Sequence, residues 1–309
     1  MFRRLPVKAY ILAAGFGKRL RPLTNRLPKA LLPFLNRPLV SYLLAHLRSH
    51  VVGMRLNVGY NGEPLIEYLQ GISGVSYFNE GPEPLGSATT IGLEREYFDG
   101  ETALICCGDL LCDWNVEQMA AFHRKHQALA TIAVRWVADP RPYGVVVSGP
   151  DQRVRAFYEK PTQPPGHWIS CGIYLISPRI FQYWQPHWQD LGTDVFPALV
   201  QAGLGVYAWP MNTEAIWSDI GTPQAYLRSH LVLSRGQNVV EPTAQVAPGA
   251  VLNQTTVGAH STIGPQAHLR RCVVWPGTTI KAGTHLEQAV ITPYEVVRVD
   301  DTLLTVRTF

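Results

Sequence analysis

Apolar runs alternate with amphipathic segments through the first third of the chain. Residues 7–13 form an apolar run of strand length, and residues 38–50 place leucines on one helical face. Residues 54–58 and 62–70 repeat this order of strand and helix. Such alternation predicts an α/β fold with a mostly parallel sheet, whose ligands bind where strands reach their carboxyl ends.

The same pattern continues and then changes toward strict alternation. Residues 102–109 predict a second buried strand that ends in Asp109, followed by a helix over 115–127 for which Asp113 is the expected cap. Residues 128–137, 143–147 and 154–161 alternate apolar and polar positions. This change predicts antiparallel strands added to the parallel half of the sheet. Cys106 and Cys107 lie in the apolar run and are expected in the core.

The sequence pattern changes again near residue 239. Val240, Val246 and Leu252 are spaced by six, as are Val257, Ile263 and Leu269, with small residues suited to tight corners between them. The spacing predicts a parallel β-helix of about three coils, and its resemblance to hexapeptide-repeat proteins implies a left-handed one. We therefore expect domains at 1–236 and 237–309. A short β-helix needs its end coils covered, so a homo-oligomer, a dimer or tetramer, is expected.

Composition narrows the class of protein. The chain has 309 residues, 46% hydrophobic and 16% charged, and a net charge of +4, which favours a globular protein with an anionic small-molecule ligand over a nucleic-acid binder. No apolar stretch reaches the roughly 20 residues of a membrane span. Arg3 and Arg4 precede an apolar run as in a signal peptide, but Lys8 interrupts it. Five cysteines without paired spacing suggest reduced thiols, and a cytoplasmic location is expected.

The first strand ends in a loop suited to phosphate. Gly15 and Gly17 let a ligand approach the backbone, and Lys18, Arg19 and Lys29 follow within a few residues. Two familiar phosphate loops are excluded. Leu20 replaces the third glycine of the dinucleotide fingerprint, and Arg19 replaces the Ser or Thr of the Walker loop. The sequence by itself indicates a triphosphate site of another kind.

Two longer motifs carry a resemblance. Gly-x-Gly-x-Arg-Leu-x-Pro-Leu-Thr from Gly15, followed by Pro-Lys-Ala-Leu-Leu-Pro from Pro28, resembles the opening signature of the sugar-1-phosphate nucleotidyltransferases. The resemblance is greatest to mannose-1-phosphate guanylyltransferase-like members that carry a C-terminal β-helix of hexapeptide repeats. It implies a Rossmann-like nucleotidyltransferase domain that joins a nucleoside triphosphate and a sugar 1-phosphate and releases pyrophosphate.

The resemblance also implies roles for individual residues. Arg19, Lys29 and Asp109 become catalytic candidates, and Asp109 and Asp219 become the ligands of one Mg²⁺. The nucleotide-binding candidates are Leu12, Ala13, Ala14, Gly15, Gly17, Lys18, Arg19, Gly86 and Ser87. Thymidylyl members place a Gln five residues before the glycine of this last loop, where this chain has Gly81. That departure disfavours thymine.

Three further motifs match the part of the family's site that binds the sugar phosphate. Tyr143-Gly144, Glu159-Lys160-Pro and Ser170-Cys-Gly172 match strands that line the sugar and sugar-phosphate pocket, with the Glu on sugar hydroxyls and the Lys on the phosphate. Ser170 stands where Asn is common, which leaves one hydroxyl contact open. Mannose 1-phosphate with GTP is the leading pair. Glucose 1-phosphate uridylyl or thymidylyl transfer is the alternative, and a heptose or another uncommon sugar phosphate remains open.

Two other functions stay open. A non-catalytic regulatory subunit would keep the fold, although such subunits usually lose the loop cations or metal carboxylates that this chain retains. An acyl-transferring β-helix would use His260, His268 or His285, but three coils are few for it. His123, His126 and His167 have no partner pattern and are expected to be surface or core residues.

Overall fold

A computed structural model describes residues 7–300, so Arg3, Arg4 and the outer ends of both expected domains lie outside the described residues. Within that range the chain forms two compact units, one of residues 7–15 and 43–217 and one of residues 16–42 and 218–300. The boundary expected at 236/237 stays a prediction. No helix among residues 7–300 is both long and apolar enough to cross a membrane.

Helices and strands alternate in the first part of the chain, as the hydrophobic pattern indicates. In order they are β1 (Val7–Leu12), β2 (Pro33–Phe34), β3 (Arg37–Pro38), α1 (Leu39–Leu47), β4 (Gly53–Val58), α2 (Glu63–Gln70), β5 (Val75–Asn79) and α3 (Ser87–Leu93). Short 3-10 turns at Lys18–Leu20, Lys29–Leu31 and Arg95–Phe98 accompany them.

The middle of the chain adds more strands than helices. It contains β6 (Thr102–Cys107), β7 (Leu110–Cys112), α4 (Val116–Lys125), β8 (Ala130–Trp136), β9 (Gly144–Ser148), β10 (Val154–Glu159), β11 (Trp168–Ile176), α5 (Phe196–Gln201), β12 (Val206–Pro210), β13 (Trp217–Asp219) and α6 (Pro223–Leu233). A 3-10 turn covers Pro178–Gln182 and a π turn covers Leu191–Val195.

A mixed sheet forms the first unit. In the part of the chain that the structure describes its strands run in the order β10-β9-β11-β6-β1-β4-β5, and β8 joins β11 to β12. β1 lies between β6 and β4, parallel to both, while β9, β10 and β11 are antiparallel to their neighbours. The parallel core and the antiparallel additions both match the sequence prediction. Because β1 is central, the loop that leaves it emerges at the carboxyl edge of the parallel strands.

The core of this sheet consists of the apolar side chains that the strand pattern predicts. Ile105 on β6 and Ile132 on β8 are fully buried and belong to one cluster with Tyr10 and Phe196. At roughly 25 cal/mol per Å² of buried apolar surface, each such side chain contributes about 1.5–3 kcal/mol. The loops at the carboxyl edge are therefore held on a rigid base.

The prediction that Asp113 caps α4 is wrong. Asn115, and not Asp113, caps α4, since its Oδ1 accepts the Gln118 N–H at 2.8 Å. The Asp113 carboxylate instead accepts the Ile216 N–H at 2.6 Å, and the Asp113 N–H donates to the Ile216 carbonyl. Asp113 therefore fastens two distant segments. α6 has Thr222 as its cap and Pro223 in its first turn.

The C-terminal strands form what we call the strand stack. It consists of β14 (Val239–Val240), β15 (Gln245–Val246), β16 (Val251–Asn253), β17 (Thr256–Val257), β18 (Thr262–Ile263), β19 (His268–Val274), β20 (Thr279–Ile280), β21 (His285–Ile291) and β22 (Val296–Arg298). β14 to β21 pair in parallel, each residue with the one 17 positions later, as Val239 does with Thr256. Val257, Ile263 and Leu269 are buried inside the stack.

Candidate active site

The loop after β1 presents open backbone at the edge of the sheet. Its start is fixed from two sides, because the Gly108 N–H donates to the Leu12 carbonyl at 2.8 Å and the Ala13 N–H donates to Asn57 Oδ1 at 2.6 Å. A Cβ atom at Gly15 would meet nothing within 4 Å. The fold itself therefore does not require glycine at this position, and the open space is available to a ligand.

A buried polar link ties this loop to the next one. The Asn57 amide donates to Glu80 Oε1 at 2.7 Å, and Glu80 also accepts from the Thr90 hydroxyl and, at 3.1 Å, from the Leu85 N–H. Glu80 thus joins the end of β4 to the loop that precedes α3. Sequence reasoning missed both residues. The available signal was that Asn57 lies near the carboxyl end of β4 and Glu80 directly follows β5.

Gly86 and Ser87 have structural reasons for their identity. Gly86 has φ 98° and ψ 149°, and a Cβ atom there would lie 2.4 Å from the Gln189 carbonyl oxygen. The Ser87 hydroxyl donates to Asp190 Oδ2 and accepts from the Leu191 N–H, both at 2.9 Å. The Ser87 hydroxyl is therefore occupied within the protein. Asp190 is a third residue that the sequence did not single out.

Asp109 lies at the same sheet edge as the glycine loop. It follows β6, whose Cys107 is in register with Leu12 of β1. Gly108 permits this approach, since a Cβ atom there would lie 3.1 Å from the Leu12 carbonyl oxygen. The chain after Asp109 continues directly into β7, a strand that the pattern did not predict. The carboxylate is thus carried on a short link between two strands.

Strand register gathers the sugar-side candidates. Glu159 of β10 pairs with Gly144 of β9, and the β9–β11 register places Ser170 next to Gly144 in the same row. A Cβ atom at Gly144 would lie 3.0 Å from Glu159 Oε2. Side chains paired across antiparallel strands share a face, and a Cβ atom at Gly144 would also lie 2.5 Å from Phe157 Cζ, so glycine here makes room for the Phe157 ring beside Glu159.

The neighbours of this row are held tightly. The Ser170 hydroxyl donates to the Tyr174 hydroxyl at 3.1 Å, and burial raises the pKa of Tyr174. Gly172 has φ 71°, and a Cβ atom there would lie 3.0 Å from Cys107 Sγ, so glycine allows β11 to approach β6.

The Tyr143 ring lies edge-on to Trp217, with centroids 5.6 Å apart. Lys160 follows with φ 44° and pairs with the Glu159 carboxylate.

The second unit holds the basic part of the predicted site. Gly17 has φ 60°, and its carbonyl accepts the Thr24 hydroxyl at 2.9 Å, which shapes the turn that carries Lys18 and Arg19. Both cationic residues are exposed. This turn therefore presents two cations to solvent.

Lys29 and Asp219 meet although 190 positions separate them. Lys29 Nζ lies 3.9 Å from Asp219 Oδ1, with the side chains 14% and 18% exposed. Gly221 makes the cluster possible, because a Cβ atom there would lie 3.2 Å from Asp219 Oδ2 and 3.3 Å from a guanidinium nitrogen of Arg19. Asp219 thus lies beside Lys29, and Gly221 leaves room for the same carboxylate and the Arg19 guanidinium.

Within residues 7–300, no three or more His, Cys, Asp or Glu side chains form a group that could hold a metal by themselves. His123 is a core residue, as expected, since burial lowers its pKa to about 4 and its Nδ1 lies 2.8 Å from the Thr131 hydroxyl. Cys106 is buried, also as expected, and the described cysteines form no disulfide.

Comparison with known proteins gives one family. A family model described as nucleotidyl transferase matches residues 8–235. A UTP–glucose-1-phosphate uridylyltransferase of Synechocystis is 36% identical over 267 residues, covering 79% of this chain and 68% of that protein.

Two further relatives carry another printed activity. A mannose-1-phosphate guanyltransferase of Schizosaccharomyces pombe is 34% identical over 231 residues, covering 72% of this chain and 62% of that protein. The catalytic subunit beta of a Dictyostelium discoideum mannose-1-phosphate guanylyltransferase is 34% identical over 230 residues, with 72% and 63% covered. The matched segments thus span roughly two thirds of these relatives.

Proposed function

Since the chain belongs to the nucleotidyl transferase family, we propose that it transfers a nucleotidyl group from a nucleoside triphosphate to a sugar 1-phosphate, releasing pyrophosphate and forming a nucleotide sugar. GTP and mannose 1-phosphate are the leading substrates, supported by the names of several relatives. UTP with glucose 1-phosphate is the second candidate, supported by the Synechocystis relative.

The observation that carries the proposal is that Lys29 and Asp219 lie side by side, with Asp219 and Arg19 both next to Gly221. A largely buried pair such as Lys29 and Asp219 contributes little net stability, because desolvation offsets the attraction. A site that must bind polyphosphate has a use for such a cluster. Cations held in place before the substrate arrives need no reorganisation during the reaction.

The reaction joins two anions. An oxygen of the sugar 1-phosphate attacks the α-phosphorus, a new P–O bond forms, and the bond to the oxygen that bridges the α- and β-phosphorus breaks, so that pyrophosphate leaves with that oxygen. No protein nucleophile is required. Arg19 would bind the triphosphate and Lys29 would restrain the α-phosphate, and both would stabilise the charge that develops in the transition state.

Asp109 and Asp219 are the proposed carboxylate ligands of Mg²⁺. The donor chemistry fits, because Mg²⁺ prefers oxygen ligands and is commonly held by one or two carboxylates together with substrate phosphates and water. When bound, the ion would neutralise phosphate charge.

Substrate selection is proposed for the sheet edge of the first unit. Glu159 and Ser170, with Gly144 between them, would hydrogen-bond sugar hydroxyls, Lys160 would bind the sugar phosphate, and Tyr143 and Gly172 would complete the pocket. Leu12, Ala13, Ala14, Gly15, Gly17 and Lys18 would contact the nucleotide through the loop after β1. Gly86 and Ser87 would approach the base through backbone groups, because the Ser87 hydroxyl already bonds Asp190.

The strand stack is proposed to be a left-handed parallel β-helix. The 17-residue offset supports this, since it equals two six-residue steps and one of five per coil. We further propose domains at 1–236 and 237–309, a homo-oligomer and a cytoplasmic location. The exposed side chains of Val240, Val246 and Val251 on the first coil support an oligomer.

The direct test incubates the purified full chain with each nucleoside triphosphate, a panel of sugar 1-phosphates and Mg²⁺, and follows pyrophosphate release. GTP with mannose 1-phosphate is expected to give the highest kcat/KM. A clear preference for UTP with glucose 1-phosphate would select the second candidate. Ligand binding without turnover for any pair would favour the regulatory subunit.

A further inference from the structure

A buried hydrogen-bond relay runs from the strand stack to the Lys29 motif. Trp275, which directly follows β19, donates its indole N–H to the Tyr226 hydroxyl at 3.1 Å, and this hydroxyl donates to the Pro33 carbonyl. Tyr226 is fully buried on α6 and Trp275 is 5% exposed. Nothing in the motif resemblance assigns either residue a role. The relay ends on the segment 28–38, which we call the strap.

Apolar contacts surround the relay. Phe34 of the strap is fully buried, and its ring centroid lies 4.3 Å from that of His230 and 6.3 Å from that of Tyr226. A second polar tie lies nearby, where the Asn36 amide donates to the Val257 carbonyl of β17 at 3.2 Å. The strap is thus fastened to both α6 and the strand stack.

The relay fixes one side of the Lys29–Asp219 pair relative to the other. Lys29 lies four residues before Pro33, in a turn closed by the Leu32 N–H on the Lys29 carbonyl. Asp219 lies four residues before Pro223, the first residue of the helix that carries Tyr226. The Tyr226–Pro33 bond therefore closes a ring of contacts that runs through α6, Asp219, Lys29 and back to the strap.

We propose that Tyr226 and Trp275 are positioning residues that set the place of the Lys29 ammonium group through the strap. In catalytic terms the inference rests on the proposed function, in which Lys29 restrains the α-phosphate. The Tyr226 hydroxyl has one proton, and the indole N–H occupies its acceptor side, so that this proton points at Pro33. In a low-dielectric setting such a chain of bonds has one preferred geometry.

Tyr226→Phe is the first variant, because it keeps the ring and removes only the hydroxyl. Thr255→Val is the matched control. It removes a buried hydroxyl that donates to the Leu269 carbonyl at 3.1 Å inside the strand stack and does not contact the relay. Tyr226→Phe is expected to lower kcat about tenfold with both KM values within about twofold. Thr255→Val is expected to lower Tm without changing kcat.

A double variant separates positioning from general destabilisation. If Tyr226 acts through Lys29, adding Tyr226→Phe to Lys29→Met should lower kcat by less than about twofold further. A full tenfold further loss would overturn the proposal. Trp275→Phe should resemble Tyr226→Phe, and a normal kcat in both single variants would also overturn it.

An activity-independent measurement distinguishes failure of this proposal from failure of the proposed function. Limited acetylation with acetic anhydride, followed by mass spectrometry, reports the accessibility of the Lys29 amine, with exposed Lys125 and Lys281 as internal standards. Tyr226→Phe should raise Lys29 labelling severalfold relative to these standards, whereas Thr255→Val should not. Raised labelling in a chain that releases no pyrophosphate would support the relay and reject the proposed reaction. Unchanged labelling would reject the relay.

Discussion

The link between Asn57 and Glu80 permits a sharp test, because its donor and acceptor can be exchanged. Asn57 is 5% exposed, accepts the Ala13 N–H and donates to Glu80. Asn57→Asp keeps the first bond and replaces the second with two facing carboxylates. Adding Glu80→Gln supplies a new amide that can donate to the introduced carboxylate and to the Thr90 hydroxyl, while its oxygen still accepts the Leu85 N–H.

The structure sets the size of the effect. Two unit charges at the 2.7 Å donor–acceptor distance would repel by about 6 kcal/mol at an effective dielectric constant of about 20. Proton uptake limits this, since holding a carboxyl group of pKa about 4 protonated at pH 7 costs about 4 kcal/mol. Solvent around the half-buried Glu80 lowers the energetic cost of the two facing carboxylates further. We expect Asn57→Asp to reduce the free energy of unfolding by about 3 kcal/mol at pH 7.

The pH dependence has a definite sign. The introduced carboxyl group would have a folded-state pKa above its unfolded value, so the folded variant binds more protons than the unfolded one between the two values. Stability of Asn57→Asp should therefore fall as pH rises from about 4 to about 7, relative to the wild-type protein. Below pH 4 most of the deficit should disappear.

Urea unfolding of the wild-type protein, both single variants and the double variant at pH 4.5 and pH 7 measures the coupling. The double variant should recover at least about 1.5 kcal/mol of the sum of the single losses, and the KM for the nucleoside triphosphate should recover in parallel. If the losses simply add at pH 7, the Asn57–Glu80 bond does not hold the two loops together.

Other predictions concern single positions. Asp109→Asn and Asp219→Asn should each lower kcat at least about 100-fold, the effect of removing one transition-state stabiliser, as measured by pyrophosphate release. Circular dichroism should show that both variants fold normally. Near-normal turnover in either variant would contradict the metal assignment. Gly86→Ala should lower the free energy of unfolding by about 2–3 kcal/mol because of its positive φ and the Gln189 carbonyl, whereas Gly15→Ala should leave it within about 0.5 kcal/mol and raise the KM for the nucleoside triphosphate. Equal melting temperatures for these two variants would argue against the distinction. Burial lowers the pKa of His123 to about 4, so the free energy of unfolding should fall by up to about 3 kcal/mol as pH falls from about 6.5 to 4. His123→Leu should flatten this part of the curve of stability against pH. An unchanged slope would show that other groups control the pH dependence.

The main architecture follows from the sequence because it depends on local periodicity. Residues 7–13 form a buried apolar run, and the structure has β1 there, flanked by parallel strands. The six-residue spacing after residue 239 likewise corresponds to parallel strands at a constant offset. In both cases a repeated hydrophobic period predicts the buried positions, except that Val240 and Val246 on the first coil are exposed.

The polar contacts did not follow from the pattern, because they join residues that are far apart in sequence. Ser87 bonds Asp190 across 103 positions, and Asp113 bonds Ile216 across the same separation. The expectation that Asp113 caps α4 was wrong because Asn115 is nearer to the first free N–H groups of the helix. β7 was missed because three residues are too few to show a period. The residue roles proposed for the site therefore rest on motif resemblance.

The strap also has a consequence for synthesis of the chain on the ribosome. Pro33 and Tyr226 are 193 positions apart, so at about 5–20 residues per second the partner of the strap emerges about 10–40 s later. Throughout that interval Phe34 lacks the Tyr226 and His230 rings against which it packs in the finished protein. A chaperone that covers this short apolar segment would protect the growing chain until α6 emerges.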